Sequence, residues 1–177
     1  TEQREKNELG GEVGTMINKV FPTVEQAVQD IPDGATVLIG GFGASGVPDT
    51  LLEGILLAGV KNITVVSNNV GNNETGIGKL IRNGQVKKVI CSFPVYSEGS
   101  LFRDKVIRGE IELELVPQGT LAERLRAGGS GIEAFYTPTG VGTEIARGKE
   151  HKDFDGVICI LERAIKADVA LIKAKKA

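Results

Sequence analysis

Short, uninterrupted apolar runs that alternate with helix-forming stretches constrain the fold of this chain more than any other feature. Such runs occur at residues 36–40, 62–67 and 87–92. A strand that reads as a continuous apolar run is covered on both faces, and helical segments between such strands allow parallel pairing. The sequence therefore predicts an α/β fold, an open, mostly parallel, doubly wound sheet with helices on both faces.

Local signals predict the remaining elements. Thr23 and Thr120 each begin a capping-box spacing and are expected to open a helix, while Pro48 suits the first position of a third. A further helix is expected at residues 100–108, a half-exposed strand at 111–116, a hairpin at 154–161 and a last strand at 168–173. Residues 128–143, which hold five glycines, are expected to form a loop.

The 177 residues suffice for a single domain. Residues 1–15 are rich in acidic side chains and lack apolar periodicity, so we interpret them as a tail and residues 16–177 as the domain. The last predicted strand is followed by no covering helix, which a parallel sheet requires. We therefore expect the domain to be incomplete and the natural chain to continue past Ala177.

Charge and composition exclude several classes of protein. A net charge of −2 disfavours a nucleic-acid-binding face, and no apolar run approaches the length of a membrane span. Cys91 and Cys159 lie in apolar runs and are interpreted as buried free thiols, while the single histidine, His151, lies in a polar run. We expect an intracellular protein without a metal site, located in the cytoplasm if bacterial and in the mitochondrial matrix if eukaryotic.

A glycine-rich loop follows the first predicted strand. Its residues are Gly40, Gly41, Phe42, Gly43 and Gly46, and Gly41 to Gly46 satisfies the dinucleotide-binding pattern G-x-G-x-x-G. The second strand nevertheless ends in Asn68 and Asn69 instead of the acidic residue that would bind a ribose. The loop could instead bind a phosphate or carboxylate, or serve only as tight turns that pack helices on the sheet.

Polar groups follow three predicted strands. Because ligands bind beyond the carboxyl ends of parallel strands, the loops at residues 40–46, 67–71 and 117–119 are expected to converge. They contribute the amides of Asn68, Asn69 and Gln118 but no evident nucleophile. Solvated or capping roles are favoured for the carboxylates of Glu98, Glu110 and Glu123. The sequence thus predicts half of a site, rich in groups that could hold an oxyanion.

Five ordered segments resemble those of the family I coenzyme A transferases. They are residues 33–48, with the pattern G-G-F-x-x-x-G-x-P, and residues 66–69, 117–124, 126–131 and 134–143. The likeness is to the α subunit of the succinyl-CoA:3-ketoacid and acetate types. It implies a ping-pong transfer of coenzyme A between succinyl-CoA or acetyl-CoA and a 3-oxoacid, acetate or succinate, with the thioester as substrate and no separate cofactor.

The same resemblance implies a divided active site. In this family the nucleophilic glutamate lies in an S-E-N-G motif of the β subunit or C-terminal half, so no catalytic residue is expected in this chain. Gln118, Gly119, Asn68 and Asn69 are expected to face the acyl and carboxylate groups. A β partner and an oligomer are implied. The alternatives are a stand-alone ligand-binding or regulatory module and, third, a dinucleotide-binding oxidoreductase domain.

The segment at residues 93–100 departs from the family pattern, where a shorter loop containing G-E-N is common. Ser97 to Gly99 is a near match to the nucleophile motif but falls in the wrong segment, so Glu98 is not assigned the role. The identity of the acid pair therefore stays open.

Overall fold

The computed structural model describes residues 19–71, 74–94 and 100–176. The helices are α1 (Val24–Val28), α2 (Asp49–Ala58), α3 (Ile77–Arg82), α4 (Leu101–Ile107) and α5 (Gln118–Gly129), with a short 3-10 helix at Glu144–Ala146. The strands are β1 (Thr36–Ile39), β2 (Ile63–Ser67), β3 (Val86–Cys91), β4 (Glu112–Leu115), β5 (Ala134–Thr137), β6 (His151–Phe154), β7 (Val157–Arg163) and β8 (Val169–Leu171). The predicted tail, Glu98 and residues 95–99 of the departing segment lie outside the described residues.

The main sheet has the order β4-β3-β2-β1-β8 within the described residues, and all of its neighbours pair in parallel. The chain moves in one direction from β1 to β4 and then returns past β1 to β8. Since parallel crossovers are right-handed, this reversal puts α5 on the face opposite α2, α3 and α4. The predicted doubly wound parallel sheet is confirmed.

Two apolar clusters cover the two faces of this sheet. The larger joins the first four helices to strand residues such as Val37, Ile63 and Val89. The smaller joins Leu121 of α5 to residues such as Val66 and Ile90 on the other face. Adjacent residues of one strand thus belong to different clusters, which explains why these strands read as continuous apolar runs.

A second, antiparallel sheet has the order β5-β7-β6. A hairpin is present as predicted, but it spans residues 151–163 and not 154–161, because the first strand, β6, lies before Asp155. Its two-residue turn uses Asp155 and Gly156, both at positive φ, as a tight hairpin requires. The expected loop at residues 128–143 is wrong in its centre. Four residues there form β5, which is held by its pairing to β7 and carries no distinctive apolar alternation of its own.

Several helix boundaries correct the local expectations. Thr23 caps α1 as predicted, by accepting a hydrogen bond from the Gln26 backbone. Thr120 does not cap α5, which opens two residues earlier behind Pro117, so Thr120 is buried inside the helix. Pro48 likewise precedes α2 and is not its first residue. Helix α3 has no counterpart among the expected elements, because a glycine-flanked helix of six residues carries little periodic signal.

The small sheet is attached to α5 through a buried arginine. Arg124 Nη1 donates to Glu114 Oε1 at 2.6 Å, and Arg124 Nε donates to the backbone oxygen of Arg163 at 2.7 Å. Glu162, which is 2% exposed, lies beside Arg124 and forms an ion pair with Lys149. The charge of Arg124 is therefore neutralised inside the junction, where an unpaired charge would be costly.

Candidate functional site

A cavity of about 1000 Å³ opens at the carboxyl ends of β1, β2 and β3. Its polar and aromatic walls come from four places: Gly41, Phe42 and Gly43 after β1; Asn68, Asn69 and Gly71 after β2; Ser92 and Phe93 after β3; and Gln118 at the start of α5. This is the edge at which parallel sheets bind ligands. The predicted convergence of the three loops is thus present in the fold.

A directed chain of hydrogen bonds crosses the cavity wall. The backbone N–H of Gly71 donates to Asn69 Oδ1 at 2.9 Å, and Asn69 Nδ2 donates to Asn68 Oδ1 at 2.9 Å. Asn68 Nδ2 then donates to Gln118 Oε1 at 2.7 Å and to Ser92 Oγ at 3.0 Å. The Ser92 hydroxyl also donates to Gln118 Oε1. We call Asn69, Asn68, Ser92 and Gln118 the amide chain.

The amide chain accounts for three of the predicted site residues. Asn69 is buried and orients Asn68. Gln118 is exposed and lies where the amide chain reaches the cavity. Gly119, predicted beside Gln118, instead lines a separate cavity of about 310 Å³ with Phe135 and Tyr136. Successive helical residues point in different directions, so α5 does not present both to one cavity.

The glycine loop folds as a tight turn against the cavity. Phe42 and Ser45 exchange backbone hydrogen bonds of 2.9 and 3.1 Å, which occupies the N–H groups of both residues. A Cβ atom at Gly41, where φ is +126°, would lie 2.9 Å from Val47 Cγ2. At least one loop glycine is therefore required by packing.

Only part of the glycine loop lines the cavity. Gly41, Phe42 and Gly43 do, whereas Gly40 donates its N–H to Leu171 O at 3.0 Å and thus extends the pairing of β1 with β8. Gly46 contacts Gly41, and a Cβ there would lie 3.6 Å from the Gly41 Cα. Gly40 and Gly46 therefore do not line the cavity, and they contribute only to the shape of the loop.

Charged groups also line the cavity, and sequence reasoning missed them. Asp49 lies in the first turn of α2, while Glu74 and Lys79 come from the β2–α3 connection and α3. Glu74 forms an ion pair with Arg82, and Lys79 forms one of 2.7 Å with Glu53. The position of Asp49 directly after Pro48, just past the glycine loop, is the signal that could have indicated its place.

Two other carboxylates considered from the sequence, Glu110 and Glu123, do not line the cavity. Hydrogen bonds from Arg108 and Lys105 lower the pKa of Glu110 to about 2, and a hydrogen bond from Arg126 lowers the pKa of Glu123. Glu110 is exposed and forms ion pairs with Lys105 and Arg108, which fits the solvated role expected for it. The capping role expected for Glu123 is wrong, because α5 opens before Thr120.

Cys91 ends β3 beside Ser92, but it is fully buried and does not line the cavity. Burial raises the pKa of its thiol to about 11, so the thiolate is scarce. Both cysteines are free and buried, as predicted.

The geometry does not suit a dinucleotide. In that design a pyrophosphate lies on the helix N-terminus that follows the loop, and here the first turn of α2 carries the negative charge of Asp49. Asn68, at the position of the ribose-binding acid, is engaged by Ser92 and Gln118.

Two features are absent from residues 19–71, 74–94 and 100–176. Within these ranges no helix is both long and apolar enough to cross a bilayer. The same residues contain no group of three or more His, Cys, Asp or Glu side chains arranged to hold a metal ion.

Comparison with known proteins gives a consistent set of relatives. The sequence model of the coenzyme A transferase family matches residues 21–177. The chain is 49% identical over 161 residues to one subunit of the 3-oxoadipate CoA-transferase of Pseudomonas putida, covering 91% of this chain and 70% of that protein. It is 52% identical over 161 residues to one subunit of the probable succinyl-CoA:3-ketoacid coenzyme A transferase of Bacillus subtilis, covering 91% and 67%.

A human relative is longer. The chain is 45% identical over 177 aligned positions to the mitochondrial succinyl-CoA:3-ketoacid coenzyme A transferase 2, covering 90% of this chain and 34% of that protein. The chain thus spans about two thirds of the bacterial subunits and one third of the human protein.

Solved structures share the fold at lower identity. An acyl-CoA transferase of Escherichia coli O157:H7, solved as its thioester complex with CoA, superposes with a TM-score of 0.72 at 23% identity, over 85% of this chain and 33% of that one. The decarboxylase AibA/AibB superposes with a TM-score of 0.70 at 22% identity, over 85% and 60%. The same fold therefore accommodates two different reactions, and fold alone does not assign one.

Proposed function

The chain belongs to the coenzyme A transferase family, and from that premise we propose that it is the α part of an enzyme that moves coenzyme A between an acyl-CoA and a carboxylic acid. The substrates we propose are succinyl-CoA or acetyl-CoA as donor and a 3-oxoacid, acetate or succinate as acceptor. The names of relatives at about 50% identity support the first donor and the 3-oxoacid class. No further cofactor is needed, because the coenzyme A thioester is itself the substrate.

The observation that carries the proposal is the contact between Asn68 and Gln118 in the cavity wall. Two polar side chains, from the second and third of the five family-like segments, are joined there by a 2.7 Å hydrogen bond. The oxygen of Gln118 is already engaged, so its amide nitrogen is the end available to a ligand. A nitrogen donor suits the carbonyl oxygen of a thioester or the oxygen of a carboxylate, both of which gain negative charge during acyl transfer.

We assign the attacking group to a glutamate of the β part. Among the described residues, Asp49 and Glu74 are the carboxylates that line the cavity, and Glu74 is paired with Arg82. Neither carboxylate hydrogen bonds to the amide chain. A cavity whose described residues supply donors in one wall, and no carboxylate bonded to those donors, fits a site that is completed by a second polypeptide or a C-terminal half. We therefore propose a β partner, as a separate subunit or as the C-terminal half of a fused chain, in a homo- or hetero-oligomer.

The proposed reaction proceeds in balanced steps. The glutamate carboxylate attacks the thioester carbonyl carbon and expels coenzyme A as a thiolate, leaving a mixed anhydride. The thiolate attacks the glutamyl carbonyl of that anhydride, releasing the first acid as a carboxylate and forming an enzyme thioester. The second acid repeats both steps in reverse. Donors such as Gln118 Nε2 stabilise the oxyanion in each addition.

The direct test is coenzyme A exchange by the chain with and without its β part. Succinyl-CoA is incubated with acetoacetate or acetate, and the new thioester is measured by chromatography. We expect exchange only in the assembled enzyme. Exchange by the isolated chain would contradict the divided site, and absence of exchange in the assembly with every acid pair would contradict the transferase assignment.

A labelled intermediate locates the nucleophile. The assembled enzyme is treated with an acyl-CoA that is radiolabelled in the coenzyme, digested and mapped. We expect the label on a β-part peptide. Label on a peptide that contains Asp49 or Glu74 would place the nucleophile in this chain. Release of carbon dioxide without exchange would favour the decarboxylase chemistry of the structural neighbour, and binding of the thioester without either reaction would favour a ligand-binding module.

A further inference from the structure

We propose that Ser92 is a positioning residue that, with Asn68, holds the Gln118 amide with its nitrogen toward the cavity. Ser92 was not singled out by any sequence motif. It follows the last residue of β3, and its hydroxyl group lies between Asn68 and Gln118 in the amide chain. This inference rests on the proposed function, since it concerns the donor that would bind the acyl oxygen.

The orientation of every group in the amide chain follows from its first member. The backbone N–H of Gly71 can only donate, so the atom of Asn69 that it contacts is the oxygen. Asn69 then donates through its nitrogen to the oxygen of Asn68. Asn68 in turn presents its nitrogen to Ser92 and Gln118. The backbone N–H of Gly71 therefore determines which end of each side-chain amide donates and which accepts. No amide of the amide chain is free to rotate.

The single proton of Ser92 is directed to Gln118. The Ser92 hydroxyl accepts from Asn68 Nδ2 and lies near two oxygens, Gln118 Oε1 and the Asn68 backbone oxygen at 3.2 Å. That backbone oxygen already accepts from the N–H groups of Ser92 and Phe93, at 3.2 and 3.0 Å. Since a carbonyl oxygen has two lone pairs, the hydroxyl proton is left for Gln118.

Gln118 is consequently held in one orientation. Its oxygen accepts from both Asn68 and Ser92, which uses both lone pairs. A flipped amide would place the Gln118 nitrogen against the Asn68 nitrogen and lose that bond, and the Ser92 proton would have to turn to the Asn68 backbone oxygen, which already accepts two hydrogen bonds. Among the described residues no acceptor is hydrogen bonded to Gln118 Nε2, so that nitrogen is available to a ligand in the cavity. The ligand group that it fits is an acceptor such as a carboxylate or carbonyl oxygen.

A double-mutant cycle in the assembled enzyme tests whether Ser92 acts through Gln118. We expect Ser92→Ala to lower kcat for coenzyme A exchange about tenfold, as for loss of one hydrogen bond to a catalytic group, with little change in KM. In the Gln118→Ala background the same change should cost less than about twofold, because the group it positions is absent. Ser92→Thr, which keeps the hydroxyl, should recover most of the activity lost in Ser92→Ala.

Ser67 provides the matched control. It lines the same cavity at the end of the neighbouring strand, but its hydroxyl donates to the backbone oxygen of Ile39 at 2.9 Å and takes no part in the amide chain. Whatever factor Ser67→Ala costs, we expect the same factor with and without Gln118. Equal losses for Ser92→Ala in both backgrounds, or no loss at all, would overturn the inference while leaving the transferase assignment intact.

Crystal structures of the assembled enzyme give a readout that does not depend on activity. In the Ser92→Ala enzyme we expect the Gln118 side chain to leave its position beside Asn68, and in the Ser67→Ala enzyme we expect it to stay. If the wild-type assembly catalyses no exchange, the proposed function fails and these structures still decide the inference. A Gln118 side chain unmoved by Ser92→Ala would overturn it.

Discussion

The side-chain nitrogen of Asn68 lies 2.7 Å from the side-chain oxygen of Gln118, across fifty positions of sequence. Asn68 follows the second strand of the parallel sheet, and Gln118 opens the helix that crosses to the opposite face. The contact therefore lies where the chain changes direction across the sheet. It joins the two parts of the candidate site and leaves the side-chain nitrogen of Gln118 available on the cavity side.

The first prediction concerns Gln118 itself. Gln118→Ala in the assembled enzyme should lower kcat for coenzyme A exchange roughly 10²-fold, the scale for loss of one oxyanion donor. Steady-state kinetics with succinyl-CoA and acetoacetate measure the change. Gly119→Ala is the matched control, because a Cβ atom there meets no heavy atom within 4 Å and the residue faces the smaller cavity. A comparable loss of kcat in the Gly119→Ala variant would show that Gly119 belongs to the site.

The second prediction concerns the close approach of α5 to the segment that precedes β8. A Cβ atom at Gly128 would lie 2.0 Å from the backbone oxygen of Ile165, which no side-chain adjustment can relieve. Gly128→Ala should lower the free energy of unfolding by at least about 3 kcal/mol, at the upper end of overpacking costs. Urea denaturation followed by circular dichroism measures it.

Gly129 is the control for that change. It is the next residue of the same helix, and a Cβ there meets nothing within 4 Å. Gly129→Ala should be neutral or stabilise the protein by up to about 1 kcal/mol, the helix-propensity difference. Equal stability of the two variants would show that α5 does not approach Ile165 this closely.

The third prediction separates two glycines of the loop after β1. Gly41→Ala should destabilise the protein by about 2 kcal/mol, because Gly41 has φ of +126° and a Cβ there would lie 2.9 Å from Val47 Cγ2. Gly43 has φ of +60° and open space around it, so Gly43→Asn should be tolerated, since asparagine enters the left-handed region readily. Unfolding in urea distinguishes the two. Similar stability in both variants would contradict the tight turn.

The fourth prediction concerns the acid sensitivity of the Glu114–Arg124 contact. Burial alone would raise the pKa of Glu114, but hydrogen bonds from Arg124 and Lys88 outweigh it and hold the pKa below the ordinary 4.5. A depressed pKa in the folded state contributes stability that is present above the unfolded pKa and is lost as pH falls through the folded value. Unfolding free energy should therefore decrease as the solution is acidified below about pH 5.

Removing the carboxylate tests that assignment. Glu114→Gln should lower stability at pH 7 by about 2 kcal/mol, as for loss of a charged hydrogen bond, and should flatten the dependence on pH between about 5 and 3. Glu112→Gln is the control, because Glu112 pairs with Lys88 at 2.8 Å but its side chain is 64% exposed. An unchanged pH dependence in Glu114→Gln would show that the contact does not carry the acid sensitivity.

Some of the candidate site was predictable from sequence, and some was not. The amides Asn68, Asn69 and Gln118 follow predicted strands, and the carboxyl-end rule for parallel sheets is enough to bring their loops together. Ser92, Asp49 and Glu74 were missed although Ser92 also ends an apolar run, because which side chains near a strand end face a cavity depends on how each loop and helix start is oriented. Gly119 shows the same limit, since it is adjacent to Gln118 and yet faces another cavity.

Much of the local structure and the class of fold follow from patterns within short stretches of the chain. The apolar runs of strand length and the cap at Thr23 depend on interactions within a few residues, and each is realised as expected. Only the tertiary structure decided that β5 pairs with β7, that β8 returns beside β1, and that Asn68 reaches Gln118. These contacts join residues far apart in the chain, and their energy depends on packing that no local pattern encodes.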